Sequence, residues 1–247
     1  MAIPSSITRF GKTEPFYLQV ARNQVLDHNH TFKFGFNGDI NGTEETIWDA
    51  GGIYAYPGSA LAMTVTTDAG TPATDNGVKV TVSGLDEDYN EVSEEVTLAG
   101  AGTATTTQTF IRVFRAFVSG SQEPTGNLDI TNSSTTCAYI TLGQNQTLMS
   151  VWTVPAGYTA YLLGGSVSLG TANINQYLTA RLVARLSGGV FRTQQKVTLA
   201  EGSFQQQYEI PLAFPEKTDI EARAVSSGSN NAVSATFDIL YIKNTSV

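Results

Sequence analysis

Cysteine is almost absent. Cys137 stands alone in 247 residues, which excludes an intramolecular disulfide. Its setting, "TCAYITL", reads as a small buried apolar side chain. Charge is scarce as well. Only 15% of residues are Asp, Glu, Lys or Arg, against about 25% in ordinary domains, so Thr, Ser, Asn, Gln and Gly must supply the polar surface. The shortage is uneven. Residues 1–130 carry 7 basic and 16 acidic side chains, residues 131–247 carry 7 and 6, and the formal charge is −8. With no Lys/Arg cluster there is no counterion-releasing surface for nucleic acid and nothing to hold a bare anionic membrane. No run approaches the ~18 apolar residues of a membrane span. The opening "MAIPSSITRFGKTEP" lacks the apolar stretch of a secretory signal. The expectation is a protein made in a cytoplasm, with neither nucleic acid nor membrane as partner.

The signatures of catalysis are equally thin. No P-loop, dinucleotide fingerprint or G-x-S-x-G elbow occurs. The two histidines, His28 and His30, share one polar turn, Asp27-His28-Asn29-His30, with no third imidazole to complete a metal site. Glu209 and Glu221 sit on predicted strands as the two carboxylates that glycoside hydrolysis would need, but any pair among 22 acids would qualify. Asp86, Asp88 and Asn90 imitate the first ligands of a calcium loop. Glu91 then stands where the sharp-turn glycine belongs and Thr97 where the bidentate glutamate belongs. These three form a weak Ca²⁺ candidate. The expectation is a non-enzyme without cofactor.

What is present is alternation. "QYLTARLVARL" puts Leu178, Ala180, Leu182, Ala184 and Leu186 on one face and Tyr177, Thr179, Arg181, Val183 and Arg185 on the other, a period of two with no helical drift. "LAMTVTT", the hairpin "VKVTVSGLDEDYNEVSEEVTL", "NLDITN", "CAYITL", "FQQQYEIPL", "TDIEARAV" and "AVSATFDILYI" read the same way, separated by turn residues. "TFIRVFRAFV" has large apolar groups on both faces and reads as a central strand covered on two sides. The fold class is therefore all-β: two β-sandwich or jelly-roll-like domains, residues 46–143 and 144–247, preceded by an extended N-terminal arm, residues 1–45. Within the arm a strand is predicted at Phe16–Val20. A second, carrying Phe32, Phe34 and Phe36, ends at an Asn37-Gly38 turn.

"WDAGGIYAYP", Trp48–Pro57, concentrates three aromatics, two glycines and a carboxylate. It reads as an arm-to-domain junction. Trp48 and Tyr54 are anchors in the core, Gly51 and Gly52 take positive φ or permit close approach, and Asp49 caps the turn. Trp48, Tyr54, Tyr56, Tyr89 and Tyr158 are also the rings that could stack on sugars. Arg181, Arg185 and Arg192 are candidates to meet an acidic partner surface.

The stretches "TIWDAGGIYAYP", "VTVSGLDEDYNEVSEEVTL", "WTVPAGYTAYL", "VARLSGGVFRTQQKV" and "YEIPLAFPEKTDIEARAVSSG" together resemble virion structural proteins of tailed bacteriophages, especially marine ones, over most of residues 14–242. The resemblance implies a β-rich particle component, made in the host cytoplasm and built into the virion. It would decorate the head exterior or belong to the neck or tail. Its partners would be other virion proteins and copies of itself, with a trimer expected. It brings no catalytic residues. The alternative is a receptor- or glycan-binding module of a head or tail fibre.

Overall fold

The computed structural model describes residues 7–9, 12–170, 176–228 and 230–244. The chain opens with a small hairpin, β1 (Ile7–Arg9) and β2 (Lys12–Glu14), then helix α1 (Phe16–Ala21), the long β3 (His28–Ile40) and the two-residue β4 (Glu45–Thr46). Seven strands follow: β5 (Leu61–Thr67), β6 (Lys79–Leu85), β7 (Glu91–Thr97), β8 (Thr103–Phe110), β9 (Arg112–Val118), β10 (Leu128–Asn132) and β11 (Thr135–Ile140). The last seven are β12 (Val151–Thr153), β13 (Tyr158–Gly170), β14 (Leu178–Arg185), β15 (Arg192–Leu199), β16 (Gly202–Phe214), β17 (Asp219–Ser226) and β18 (Asn231–Lys243). The all-β reading holds. No helix among the described residues is long and apolar enough to cross a membrane.

The strands build two sandwiches. One packs the sheet β11-β10-β5-β8 against β7-β6-β9 around Val80, Val82, Phe110, Leu128 and Ile130. The other packs β16-β13-β18-β3 against β12-β17-β14-β15 around two adjoining clusters, one with Ile40, Leu178 and Val233 and one with Trp152, Ile220 and Phe237. In the second sandwich the chain alternates between sheets at almost every step, and only β14–β15 is a local hairpin. That interleaving is the jelly roll.

The domain boundaries differ from the sequence reading. β3 is no arm. It pairs along most of its length with β18, so residues 28–40 form an edge strand of the jelly roll. One jelly-roll strand is then made of two pieces. β4 pairs with Arg223 and Ala224 of β17, and β12 pairs with Asp219, Ile220 and Glu221 of the same strand. Between them the Ile47 N–H donates to the Ala222 carbonyl (2.9 Å), and the Ala222 N–H donates to the Ser150 carbonyl (3.1 Å). The chain thus leaves the jelly roll at Ile47, builds the whole first sandwich, and re-enters at Ser150. Residues 144–147, assigned by pattern to the second domain, pair instead with β9 of the first, through the Phe117–Gln146 bridge and the Asn145 carbonyl.

Three local expectations also change. Phe16–Val20 is helical: Pro15 sets its entry, and Val20 is buried on the side that meets β3. Asn37-Gly38 does not turn the chain. The Asn37 side chain accepts from the Asp39 N–H (2.9 Å), the register shifts there, and the strand runs on to Ile40. "TFIRVFRAFV" is broken at Ile111, where the chain passes from one sheet to the other. β9 is the end strand of its sheet, and it is apolar on both faces because Val113 looks into the first core while Phe114 packs on the jelly roll.

Gly35 sits where the two ends of the insertion cross. A Cβ there would lie 2.2 Å from the Ile47 carbonyl oxygen and 2.5 Å from the Ser150 nitrogen. Both are backbone and cannot swing away. Gly35→Ala is expected to lower stability by about 3 kcal/mol, read as a reduced denaturant midpoint. An unchanged midpoint would mean that β3 slides freely past the crossing.

Candidate functional site: the seam between the sandwiches

The alternation that makes β17 a strand puts Asp219, Glu221 and Arg223 on one face and Ile220, Ala222 and Ala224 on the other. The apolar residues enter the jelly-roll core. The charged face would ordinarily meet water. Here the inserted sandwich covers it, and Asp219 and Glu221 are almost completely buried.

Each buried charge has partners. Arg112, from the inserted sandwich, donates Nε–H to Asp219 Oδ1 (2.8 Å) and Nη1–H to the Pro57 carbonyl (3.0 Å), and lies 5.1 Å from the Tyr56 ring. Arg185 donates to Asp219 Oδ2 (2.5 Å) and stacks on Tyr56 and Phe191, both at 4.6 Å. Thr153 Oγ1 gives Asp219 a further hydrogen bond (2.7 Å). Glu221 accepts from Tyr56 Oη (2.7 Å), Thr46 Oγ1 (3.3 Å) and the Arg223 guanidinium. Burial pushes the Glu221 carboxyl up despite Arg223 and those hydrogen bonds. Burial and the neighbouring Glu221 push the Tyr56 phenol well above its ordinary range, so it stays a donor.

Trp48–Pro57 belongs to this seam. Trp48 is 3% exposed, and its indole N–H donates to the Gly51 and Gly52 carbonyls (2.8 and 3.1 Å). Its ring meets Tyr54 edge-on at 5.2 Å, and Tyr54 meets Tyr56 at 4.8 Å. Tyr54 Oη donates to the Val113 carbonyl (3.1 Å). Gly51 and Gly52 both take positive φ, +71° and +67°. Gly52 has open space around it, so its requirement is conformational. The Gly52 N–H is capped by Glu45 Oε2 (2.7 Å). Asp49 does not cap the turn. Its carboxylate reaches across to Thr141 Oγ1 (3.2 Å), because Glu45 already occupies the capping position.

Burial pushes the Asp49 carboxyl up to about 6, against the hydrogen bonds it receives. Its Oδ1 has no partner among the described residues. A raised carboxyl favours the protonated fold. The ionised form therefore costs stability above pH 6, and that cost fades as pH falls through 6 toward the unfolded value near 3.9. Asp49→Asn should raise stability by about 2 kcal/mol at pH 7.5, discounted for partial exposure, and by little at pH 4. Equal gains at both pH values in urea titrations would refute the assignment.

The other anticipated residues divide. Arg181 is bidentate to Glu44 (2.8 and 2.5 Å) and Arg185 is held by Asp219, so neither is free for an acidic partner; the partner that alternation could not reveal is intramolecular. Arg192 is exposed at the start of β15 without an ion pair among the described residues. Asp86 Oδ1 accepts from the Asp88 and Asn90 N–H groups (both 2.9 Å), and Oδ2 accepts from the Asn90 side chain (3.3 Å), so that carboxylate closes its own turn. Among the described residues no three His, Cys, Asp or Glu side chains converge as a metal site. His28 bonds the Leu26 carbonyl and His30 bonds Asp238, which separates the pair. Glu209 is exposed on β16, in the sheet opposite buried Glu221.

The sequence reading missed Lys33. It sits among aromatics on the edge strand β3 and is only 6% exposed. Its ammonium donates to the Phe114 carbonyl across the seam. Burial, reinforced by Arg115, lowers its pKa to about 7. The one legible signal was a lysine between Phe32 and Phe34 on a strand whose inner face must be covered.

No family model and no curated protein matches this chain. Among solved structures it is similar to a Yersinia pseudotuberculosis-derived mitogen, at 9% identity over 39% of this chain and 84% of that one, TM-score 0.22. It is also similar to the VP2 subviral particle of infectious bursal disease virus, at 11% identity over 89% and 77%, TM-score 0.23. A third is the naturally empty top component of cowpea mosaic virus, at 8% identity over 75% and 82%, TM-score 0.20. Scores this low carry no functional argument.

Proposed function

We propose that this chain is a non-enzymatic structural component of a bacteriophage virion, built into the exterior of the head, the neck or the tail. One observation carries the reading. The inserted sandwich enters and leaves in the middle of a jelly-roll strand, both ends bonded to Ala222, and a buried ionic seam lies across the joint. Covalently linked domains ordinarily move relative to each other unless their interface is extensive. This joint fixes their orientation, as a particle subunit requires. The sequence resemblance to phage virion proteins supports the same assignment.

In this reading the protein assembles with copies of itself, as a trimer, and with other virion proteins, using the segment ahead of β3 for docking. Deleting residues 1–20 tests it. Particles should then lack the protein while the purified variant stays folded, its melting temperature lowered only by the loss of the contact between α1 and β3. Normal incorporation of the truncated chain would sink the docking role. Imaging intact virions with the subunit located would test the assignment as a whole.

The glycan-binding alternative has weaker support. Trp48, Tyr54 and Tyr56 are committed to one another and to Glu221. Tyr89 lies against Arg112 and Lys217, and Tyr158 against Tyr241. Saturable binding on a glycan array would revive it.

A further inference from the structure

Beside the seam, along the free edge of β3, lies a cleft of about 600 Å³ between the jelly roll and β9. That is the size of a small-molecule site. Its walls include Phe32, Phe34, Phe114 and Trp152. Its charged groups are Lys33, Arg115, His30 and Glu91.

Lys33 is out of place in a merely structural wall. An ammonium has three donors. Among the described residues this one meets a single acceptor, the Phe114 carbonyl, and no carboxylate pairs with it. Glu91 lines the same cleft but accepts from Tyr241 Oη (3.0 Å) instead. Arg115, whose charge acts on Lys33, has the same sign and rests on the Phe117 ring (4.8 Å). His30 is bound to Asp238 at the rim. The buried charges Arg112, Asp219 and Glu221 each have an opposite partner within hydrogen-bond reach, and Glu45, which has none, accepts from the Gly52 N–H and the Asn37 amide. A buried cation without a counter-charge is destabilising. This one stands in a cavity open to ligand, in a chain whose net charge is −8.

We propose that this cleft binds a small carboxylate carried on an apolar or aromatic body, with Lys33 as the buried anchor and Arg115 as the outer one. The carboxylate accepts the unspent Lys33 N–H groups, and the aromatic walls take the apolar body. This is independent of the virion role, since a particle protein and a free one would bind the same ligand.

The test uses the full chain with phenylacetate, and phenylacetamide as the uncharged control, at constant ionic strength. Binding is read by calorimetry and by the indole N–H shift of Trp152. Phenylacetate should saturate in the millimolar range or tighter, and the amide should bind at least about 10-fold more weakly, the usual worth of a hydrogen bond to a charged group. Lys33→Met keeps the length and apolar stem, should fold at least as well as the parent, and should weaken phenylacetate at least about 10-fold. Arg115→Gln removes only an exposed charge and should weaken it less. Should Lys33→Met fail to fold, protection of Lys33 from acetic anhydride by phenylacetate, measured against Lys196 and Lys243, decides the matter. Equal binding of acid and amide, unchanged affinity in Lys33→Met, no protection, or no saturation each overturns the proposal.

Discussion

Asp219→Ala is expected to destabilise the protein by about 3–5 kcal/mol, the usual consequence of removing one partner from a buried ion pair. Asp219 is buried and receives hydrogen bonds from Arg112, Arg185 and Thr153. Its loss leaves two guanidiniums without their shared counter-charge, and water cannot reach Arg112, which is itself buried. Arg112 belongs to the inserted sandwich and Arg185 to the jelly roll, so the substitution should also loosen one domain from the other. Trp48 lies on the insertion side and Trp152 in the jelly-roll core, which gives each unit its own optical reporter. Single-tryptophan versions should unfold together in the parent and separately in Asp219→Ala. Coincident transitions with a small loss would mean that the network contributes little. Lys79–Glu95 is the internal control: both side chains are largely exposed, and breaking that pair should leave the midpoint unchanged.

Trp48→Ala should cost about 3–5 kcal/mol, typical of deleting a buried aromatic side chain. The cavity would open against Tyr54, in the core of the inserted sandwich. It would also take the indole N–H from the Gly51 and Gly52 carbonyls, of which Gly52 keeps the Thr46 N–H (3.0 Å). Trp48→Phe separates the two contributions. It keeps most of the apolar volume and loses only the hydrogen bonds, for about 1 kcal/mol. Denaturant midpoints of both variants check the ordering. Equal losses would assign the whole effect to the polar contact, and no loss in either would remove Trp48 as an anchor.

Glu94 shows how a sequence irregularity acquires its reason only in three dimensions. In the hairpin it breaks the apolar row Val92, Val96, Leu98. In the structure its carboxylate accepts from the Gln108 N–H (2.7 Å), the Thr107 N–H and the Thr107 hydroxyl (both 3.1 Å), tying β7 to the edge of β8 in the opposite sheet. Desolvation raises its pKa, but these donors outweigh it, and the carboxyl lies below the ordinary glutamate value.

Alternation by itself determined most of the strands, because side-chain direction in a strand has period two and depends only on near neighbours. It correctly placed the β6–β7 hairpin, the strands β10 and β11 and Leu178, Ala180, Leu182 and Ala184 on the inner face of β14, although Leu186 lies beyond the strand and is exposed and Val183 is buried, and it marked Trp48 and Tyr54 as core residues. It left open what covers the second face of a strand. Asp219 and Glu221 have the pattern of a solvated face, and only packing of the insertion across β17 made that face an interior, while Arg181 and Arg185 stay partly exposed and are held by Glu44 and Asp219. Nor does a local pattern carry the sequence separation of partners. That β3 joins β18, and that β4 and β12 are two pieces of one strand, depends on contacts between segments about 70 to 200 residues apart. Those pairings are set by which edges remain free after the sheets close, and tertiary structure alone decides that.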